Sequence, residues 1–177
     1  MKICLIGDGA VGKTSLRERF LGRAFKANYM ATIGADFALR RIEAGENEVK
    51  AQVWDLAGQQ HFSKVRSLYY KGSDGLVIVF DVTRPSSFEN VMNWLEEAQT
   101  HIGKEGGYGV ILAGNKVDLR DNADPTHITP ELGAKLCRSL AEKLSITEVP
   151  YVETSAKTNQ NVELVFQRLV EIVIGSS

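Results

Sequence analysis

The chain has 177 residues, of which 44% are hydrophobic and 24% charged, and its formal net charge is −1. This length predicts a single domain over residues 1–177, and the balanced charge argues against a broad nucleic-acid-binding surface. Cys4 and Cys137 lie in apolar runs without metal-ligand spacing, so we expect reduced core residues in a cytoplasmic protein. The apolar runs are too short to span a membrane, and Met1 leads directly into the first strand, so we expect neither a membrane span nor a signal peptide.

The first predicted elements flank a glycine-rich octapeptide. A short apolar strand over residues 3–6 is followed by GDGAVGKT at residues 7–14 and then by a helix to about Gly22. The pattern G-x-x-x-x-G-K-[ST] between a strand and a helix is the phosphate-binding P-loop. Its backbone N–H groups and the helix N-terminus favour phosphate, Lys13 is expected to reach the β- and γ-phosphates, and Thr14 to ligate Mg²⁺. The alternative is an ordinary glycine turn with a solvated lysine.

The next stretch predicts two irregular segments around a hairpin. Residues 23–35 have no clean periodicity and predict a loop over the nucleotide site. Residues 35–42 and 49–56 predict two antiparallel strands joined by a turn at residues 44–47. Residues 59–71 are polar with interspersed aromatic residues and predict a second irregular or partly helical segment.

The second half of the chain alternates strands and helices. Ser86 to Glu89 has the pattern of a capping box, and Thr129-Pro130 the pattern of a helix start. Together with the first half, this alternation predicts an open, doubly wound α/β sheet with ligand-binding loops at the carboxyl ends of the strands. The predicted strands are residues 76–80, 110–114 and 149–153, and the predicted helices are residues 86–102, 130–144 and 162–174.

A second phosphate-related motif, Asp55-Leu56-Ala57-Gly58-Gln59, ends the strand over residues 49–56. Asp55 is expected to face the P-loop across the sheet and to hold Mg²⁺ directly or through water. Gly58 can bring its backbone N–H close to the γ-phosphate, and Gln59 can orient a water for attack. The alternative is a solvated Asp-Gly turn.

Two motifs predict the base. Asn115-Lys116-Val117-Asp118 follows the strand over residues 110–114, and the Asp118 carboxylate fits the paired N–H donors of guanine, which adenine lacks. The Asn115 side chain can tie this loop to the P-loop, and the Lys116 stem can cover the base. Thr154-Ser155-Ala156-Lys157 follows the last strand, where the Ala156 N–H can donate to the guanine O6. Taken alone, each could be an ordinary polar turn.

The order P-loop, lone Thr32, D-x-x-G, N-K-x-D and S-A-K resembles the Ras superfamily of small GTPases over essentially the whole chain. The match looks closest to the Rab family, through the segments at residues 32–37, 54–59, 69–72, 80–83 and 87–91. The resemblance implies a small GTPase G domain: a P-loop NTPase with a mostly parallel, six-stranded, doubly wound sheet and helices on both faces. It further implies a Rab-like switch in vesicle trafficking that binds GTP or GDP with Mg²⁺ and hydrolyses GTP.

The resemblance also implies roles for individual residues. Thr32 would be the switch I threonine, whose hydroxyl ligates Mg²⁺ and whose N–H meets the γ-phosphate, and Phe25 would pack against the guanine. The implied catalytic residues are Gln59, Lys13 and Gly58. The implied metal ligands are Thr14, Thr32 and Asp55. The implied nucleotide-binding residues are Gly9, Ala10, Val11, Gly12, Lys13, Thr14, Ser15, Phe25, Tyr29, Thr32, Gly58, Asn115, Lys116, Asp118, Leu119, Ser155, Ala156 and Lys157.

Partners are implied in the same way. An exchange factor, a GTPase-activating protein and effectors would bind through residues 25–37 and 54–71. Within these stretches, residues 25–35 and 57–71 would act as two switches. Phe37, Trp54 and Tyr69 fall where Rab proteins carry an aromatic triad used by effectors; the alternative is that they are plain core and strand aromatics. No cysteine follows Cys137, so we expect no prenyl anchor in this chain, and membrane association would need a lipidated tail.

The sequence departs from the family pattern at three positions, and two alternative functions stay open. Leu56 replaces the usual threonine, and Gln60-His61 replaces the usual Glu-Arg, which bears on the partners of switch II. An ATPase or nucleotide kinase is disfavoured by N-K-x-D and by the lack of a lid domain. A catalytically inactive GTP-binding scaffold is disfavoured by Gln59 and the small Gly9.

No motif places an arginine over the phosphates in cis, so we expect slow turnover and solvated side chains for Arg23, Arg40, Arg41 and Arg66.

Overall fold

In the computed structural model, which describes residues 1–26, 32–45, 47–103 and 107–175, six strands form one sheet. Their order across the sheet is β2-β3-β1-β4-β5-β6, so the first strand lies near the centre. The sheet is doubly wound, as the strand–helix alternation predicts, with later strands added on one side of β1 and the β2–β3 hairpin on the other. The strands are β1 (Lys2–Ile6), β2 (Ala35–Ala44), β3 (Asn47–Leu56), β4 (Gly75–Asp81), β5 (Gly109–Asn115) and β6 (Tyr151–Glu153).

All neighbouring strands are parallel except β2 and β3. β2 pairs antiparallel with β3 in a register that sets Ala35 opposite Leu56, which confirms the predicted hairpin. Because β2 runs against the rest of the sheet, its first residue lies at the edge where the parallel strands end.

Helices cover both faces of the sheet. One core contains residues of α1 (Lys13–Phe20) and α6 (Val162–Gly175), and the other contains residues of α2 (Ser63–Tyr70), α4 (Val91–Ile102) and α5 (Pro130–Leu144). The strand β4 contributes to both cores: Val77 and Val79 point to the first, and Ile78 and Phe80 to the second. Burial on two faces explains why the central strands are continuous apolar runs in the sequence.

The predicted helix over residues 86–102 is wrong in one respect: it is two helices, α3 (Pro85–Glu89) and α4, separated at Asn90. The predicted capping box is also wrong. The first helix begins after Arg84, with Pro85 at its first position and no side-chain capping bond. Ser87 instead turns its hydroxyl inward, where it accepts from the Asp81 N–H and donates to the Arg84 carbonyl.

Other boundaries differ by a few residues. α1 ends at Phe20 and β6 begins only at Tyr151, while residues 59–71 contain a short 3₁₀ turn at Gln60–Phe62 followed by α2. Thr129 caps α5 as predicted, since its side chain accepts from the Leu132 N–H. Cys4 and Cys137 are buried and free, as expected. Within the described residues, no helix has the length and apolarity needed to span a bilayer.

We expect Leu169→Ala to lower the free energy of unfolding by about 2–5 kcal/mol, the cost of a cavity in a packed core. Leu169 lies on the face of α6 that packs against the sheet and is 0% exposed, whereas Leu164 on the same helix is 37% exposed. Chemical denaturation at a fixed nucleotide concentration would measure the change. Leu164→Ala is the control, and equal losses for both variants would contradict the assignment of this face as core.

Candidate functional site

The predicted motifs meet at one edge of the sheet. The P-loop follows β1, Asp55 lies next to the end of β3, and Asn115 is the last residue of β5. Since these strands are parallel, their carboxyl ends share an edge, and the antiparallel β2 brings Thr32 to the same place. A hydrogen bond of 2.9 Å from the Ala57 N–H to the Gly34 carbonyl joins the two irregular segments there.

A cavity of about 430 Å³ opens at this edge. Most of the predicted nucleotide-binding residues line it, together with Arg17, Glu18, Ala24 and Lys26, which the motifs do not predict. Val11, Asp55 and Ser155 are buried and are not part of the lining, and Tyr29 lies outside the described residues. The predicted residues in the lining are Gly9, Ala10, Gly12, Lys13, Thr14, Ser15, Phe25, Thr32, Gly58, Gln59, Asn115, Lys116, Asp118, Leu119, Ala156 and Lys157.

The P-loop curls around the ammonium group of Lys13. Lys13 Nζ donates to the carbonyl oxygens of Gly7 at 2.6 Å and Asp8 at 2.7 Å. Burial lowers the pKa of Lys13 to about 8, while the charges of Asp55 and Asp8 oppose the shift. A cation held in a loop of backbone groups at a helix N-terminus is suited to binding phosphate oxygens.

Gly12 and Asn115 connect the P-loop to β5. Gly12 has a φ of 101°, and a Cβ there would lie 2.3 Å from Asn115 Nδ2, so a larger residue does not fit. That amide nitrogen donates to the Val11 carbonyl at 2.8 Å. Asn115 Oδ1 accepts from the Thr154 hydroxyl at 3.1 Å and from the Ala156 N–H at 3.2 Å. One buried amide therefore joins the three loops.

The three predicted metal ligands converge next to the P-loop. The Thr14 hydroxyl donates to Asp55 Oδ2 at 2.5 Å and lies 2.9 Å from the Thr32 hydroxyl, which is 3.3 Å from Asp55 Oδ2. Asp55 Oδ1 is buried and has no hydrogen-bond partner among the described residues. Burial raises the pKa of the Asp55 carboxyl, and the Thr14 hydrogen bond and the Lys13 charge oppose that shift. Hydroxyl and carboxylate oxygens are ligands that fit Mg²⁺.

Gly58 packs directly against the P-loop. A Cβ at this position would lie 2.5 Å from the Gly7 oxygen, the Asp8 carbon and the Gly9 nitrogen, so the D-x-x-G segment can approach only with glycine here. Gln59 follows in the cavity wall, and its Oε1 is buried without a hydrogen-bond partner in the described part of the chain.

Two arginines differ from the prediction. The expectation that Arg66 is solvated is wrong: it is 2% exposed, pairs with Glu97 at 2.7 Å, and donates to the carbonyl oxygens of Ala57 and Gln59. Arg40 is half-buried, with Glu163 and the ring of Phe20 as partners. Arg23 and Arg41 are exposed and form surface ion pairs.

Two further arginines beside the P-loop were not predicted. Arg17 is buried and pairs with Asp36 at 2.6 Å. Its position four residues after Lys13 puts it on the same helix face, a signal that could have found it. Arg84 donates to the Gly9 carbonyl at 2.8 Å from a different part of the chain, and no local pattern indicates this.

The predicted base-binding side chains also lie together. Asp118 Oδ1 accepts from the Ser155 hydroxyl at 2.5 Å, and Lys157 Nζ lies 3.9 Å from Asp118 Oδ2. Lys116 has a φ of 68° and its ammonium group lies 2.7 Å from Asp81. The contacts with Ser155 and Lys157 hold the Asp118 carboxylate in the cavity wall.

The aromatic triad forms one continuous surface. The rings of Phe37 and Trp54 are stacked with centroids 4.6 Å apart, and those of Trp54 and Tyr69 are tilted at 5.1 Å. Phe37 is exposed and the other two are half-buried. The triad therefore links β2, β3 and α2 on the outside of the molecule.

Comparisons with known proteins match the chain over almost its whole length. The model of the Ras family matches residues 2–174. Ras-related protein SEC4 of Candida albicans is 40% identical over 173 residues, covering 98% of this chain and 77% of that protein. Ras-related protein Rab-8A of Gallus gallus is 39% identical, covering 93% and 74%, and Ras-related protein Rab7 of Drosophila melanogaster is 37% identical, covering 94% and 77%.

We expect Asn115→Ala to lower the free energy of unfolding by about 2–5 kcal/mol, because the buried Val11 carbonyl and Ala156 N–H lose their partner. Denaturation of the two proteins under identical conditions would measure it. Asn93→Ala removes the same side chain from an exposed position and should change stability little. A loss no larger than that of the control would mean that Asn115 does not join the loops.

Proposed function

The chain belongs to the Ras family, and we propose that it is a Rab-like switch whose cavity holds GTP or GDP with Mg²⁺. Family membership makes the chain a small GTPase that binds guanine nucleotide and hydrolyses GTP to GDP. The finer proposal assigns individual residues to phosphate binding, metal binding, hydrolysis and base selection. It treats residues 1–177 as one G domain. The observation that carries it is the convergence of Thr14, Thr32 and Asp55 beside Lys13 in the P-loop.

We propose that Lys13 and the P-loop N–H groups bind the phosphate chain, with Thr14, Thr32 and Asp55 holding Mg²⁺. The metal, when bound, neutralises charge on the phosphate oxygens. Gly58 directs its backbone N–H to the terminal phosphate, and Gln59 orients the attacking water. The position of Gln59 in the cavity wall, next to Gly58, supports this role.

The base end of the cavity would select guanine. Asp118 accepts from the paired N–H groups of guanine, Lys116 and Phe25 lie over the base, and the Ala156 N–H reads the guanine O6. The Ala156 N–H is 3.2 Å from Asn115 Oδ1 here, so this last role requires that donor to be shared or released. An adenine would offer Asp118 no such pair of donors.

The positions of the residues that would contact the terminal phosphate explain how the protein could switch between two conformations. Thr32 and Gly58 belong to the two expected switches, residues 25–35 and 57–71. Contacts to the terminal phosphate would order both segments with GTP and release them after hydrolysis. The hydrogen bond between Ala57 and Gly34 supports a concerted response.

The surface of these segments would carry the partners. The adjacent rings of Phe37, Trp54 and Tyr69 are an apolar patch suited to an effector, and exchange factors and activating proteins would bind residues 25–37 and 54–71. The Rab names of the relatives support a trafficking role at a membrane surface. We expect slow intrinsic hydrolysis that an activating protein accelerates by about 10³–10⁵ with a supplied arginine.

The test is to denature purified protein, identify the released nucleotide, and measure single-turnover hydrolysis of GTP and ATP with Mg²⁺. Guanine nucleotide and GTP-only hydrolysis would support the proposal. Adenine nucleotide, or equal use of both substrates, would mean that Asp118 does not select the base. Tight GTP binding without hydrolysis would indicate a scaffold.

We expect Gln59→Leu to slow single-turnover GTP hydrolysis about 10–100-fold while nucleotide affinity stays unchanged, because only water orientation is lost. Gln52→Leu makes the same change at an exposed position of β3 and should leave the rate unaltered. Unchanged turnover in Gln59→Leu would remove this residue from the mechanism.

We expect Thr14→Asn to weaken Mg²⁺-dependent GTP binding at least about tenfold, since one oxygen of the ligand set is displaced. Equilibrium binding with and without Mg²⁺ would separate the metal effect from the nucleotide effect. Thr100→Asn, on the exposed face of α4, is the control. Equal GTP affinity in Thr14→Asn would contradict the metal assignment.

A further inference from the structure

Arg84 contacts the P-loop from outside the nucleotide cavity. It lies immediately before α3, yet its Nη2 donates to the Gly9 carbonyl at 2.8 Å across 75 residues of sequence. A second cavity of about 410 Å³ contains Arg84 in its wall and shares Gly9 and Gly58 with the nucleotide cavity. The P-loop therefore separates Arg84 from the space in which the phosphates would bind.

The carbonyl groups of the P-loop point in two directions. Those of Gly7 and Asp8 face inward to the Lys13 ammonium group, whereas that of Gly9 faces Arg84. A trans peptide sets its C=O and N–H on opposite sides, and no cis peptide occurs among the described residues. Holding the Gly9 carbonyl outward therefore turns the Ala10 N–H toward the nucleotide cavity.

This peptide orientation needs support. Ala10 has a φ of 63°, a left-handed conformation that costs free energy for a residue with a Cβ. A hydrogen bond from a charged guanidinium is stronger than one between neutral groups, and it polarises the peptide so that the N–H on its other side becomes a better donor. The Arg84 side chain makes no capping bond to α3, so its hydrogen bond to Gly9 is separate from helix formation.

We propose that Arg84 is a positioning residue for the phosphate chain: it fixes the Gly9–Ala10 peptide with the Ala10 N–H directed at the nucleotide. The proposal rests on the function proposed above. It differs from an arginine that touches the terminal phosphate, because Arg84 acts through the backbone of the loop. Its loss should weaken the hold on GDP as well as on GTP.

The first readout is nucleotide dissociation. We expect Arg84→Gln to release a fluorescent GDP analogue about tenfold faster than the unmodified chain, the effect of losing one charge-assisted hydrogen bond. Arg84→Lys keeps a charged donor and should recover part of the difference. Arg168→Gln removes an exposed arginine of α6 and should leave the rate unchanged.

The second readout observes the peptide itself. Gly-Ala pairs occur at residues 9–10, 34–35 and 133–134, so labelling glycine carbonyl carbons and alanine nitrogens yields NMR signals for Ala10, Ala35 and Ala134 only. In the GDP complex, Arg84→Gln should shift the Ala10 amide proton to higher field. Ala134, within α5, should not move and reports that the variant is folded.

The outcomes separate the two proposals. Unchanged GDP release and an unchanged Ala10 signal in Arg84→Gln, with the unmodified chain still binding GDP, would overturn the role of Arg84 and leave the proposed function standing. Lower thermal stability with both readouts unchanged would also overturn it, since Arg84 would then be merely structural. Failure of the unmodified chain to bind GDP would overturn the function and this inference together.

Discussion

The buried ammonium group of Lys13 is the interaction on which the site depends. An isolated charge in the interior is costly, and here the Gly7 and Asp8 carbonyl oxygens compensate it at 2.6 and 2.7 Å. To present both oxygens to one cation, the chain must curl tightly between β1 and α1, which requires the positive φ of Gly12. The Gly9 carbonyl points away from this cation to Arg84, so the Ala10 N–H of the same trans peptide faces the cavity.

The loop is also held from outside by parts of the chain that are distant in sequence. Asn115 binds the Val11 carbonyl, Arg84 binds the Gly9 carbonyl, and Trp94 Nε1 donates to the Asp8 carboxylate at 2.7 Å. Gly58 closes the remaining side by direct contact. These contacts fix the P-loop from the ends of β3 and β5, from α4 and from the start of α3. The segments that carry Thr32 and Gln59 are therefore the parts of the site that can change conformation when a phosphate binds.

The sequence predicts a feature well when the residues that determine it are close together in the chain. The P-loop, the N-K-x-D loop and the buried strands are contiguous patterns, and the structure has their elements where the patterns indicate. Arg66 could not be predicted, because its burial depends on Glu97, 31 residues away, and on carbonyl oxygens that become available only when residues 57–59 fold against α4. The break at Asn90 was missed because the capping box pattern is satisfied by Ser86 and Glu89, while the fold directs Ser87 to Asp81 instead.

Helix α4 contacts both halves of the phosphate site. Glu97 binds Arg66, which holds the Ala57 and Gln59 carbonyl oxygens, and the Arg66 guanidinium lies 4.5 Å from the centre of the Trp94 ring. Trp94 also donates to Asp8 in the P-loop. A displacement of the Gln59 segment must therefore either break these contacts, leaving a buried guanidinium without its carboxylate, or carry α4 along and pull on Asp8. Because both routes disturb groups that touch the P-loop or the D-x-x-G segment, the position of Gln59 and the geometry of the P-loop are energetically coupled through α4.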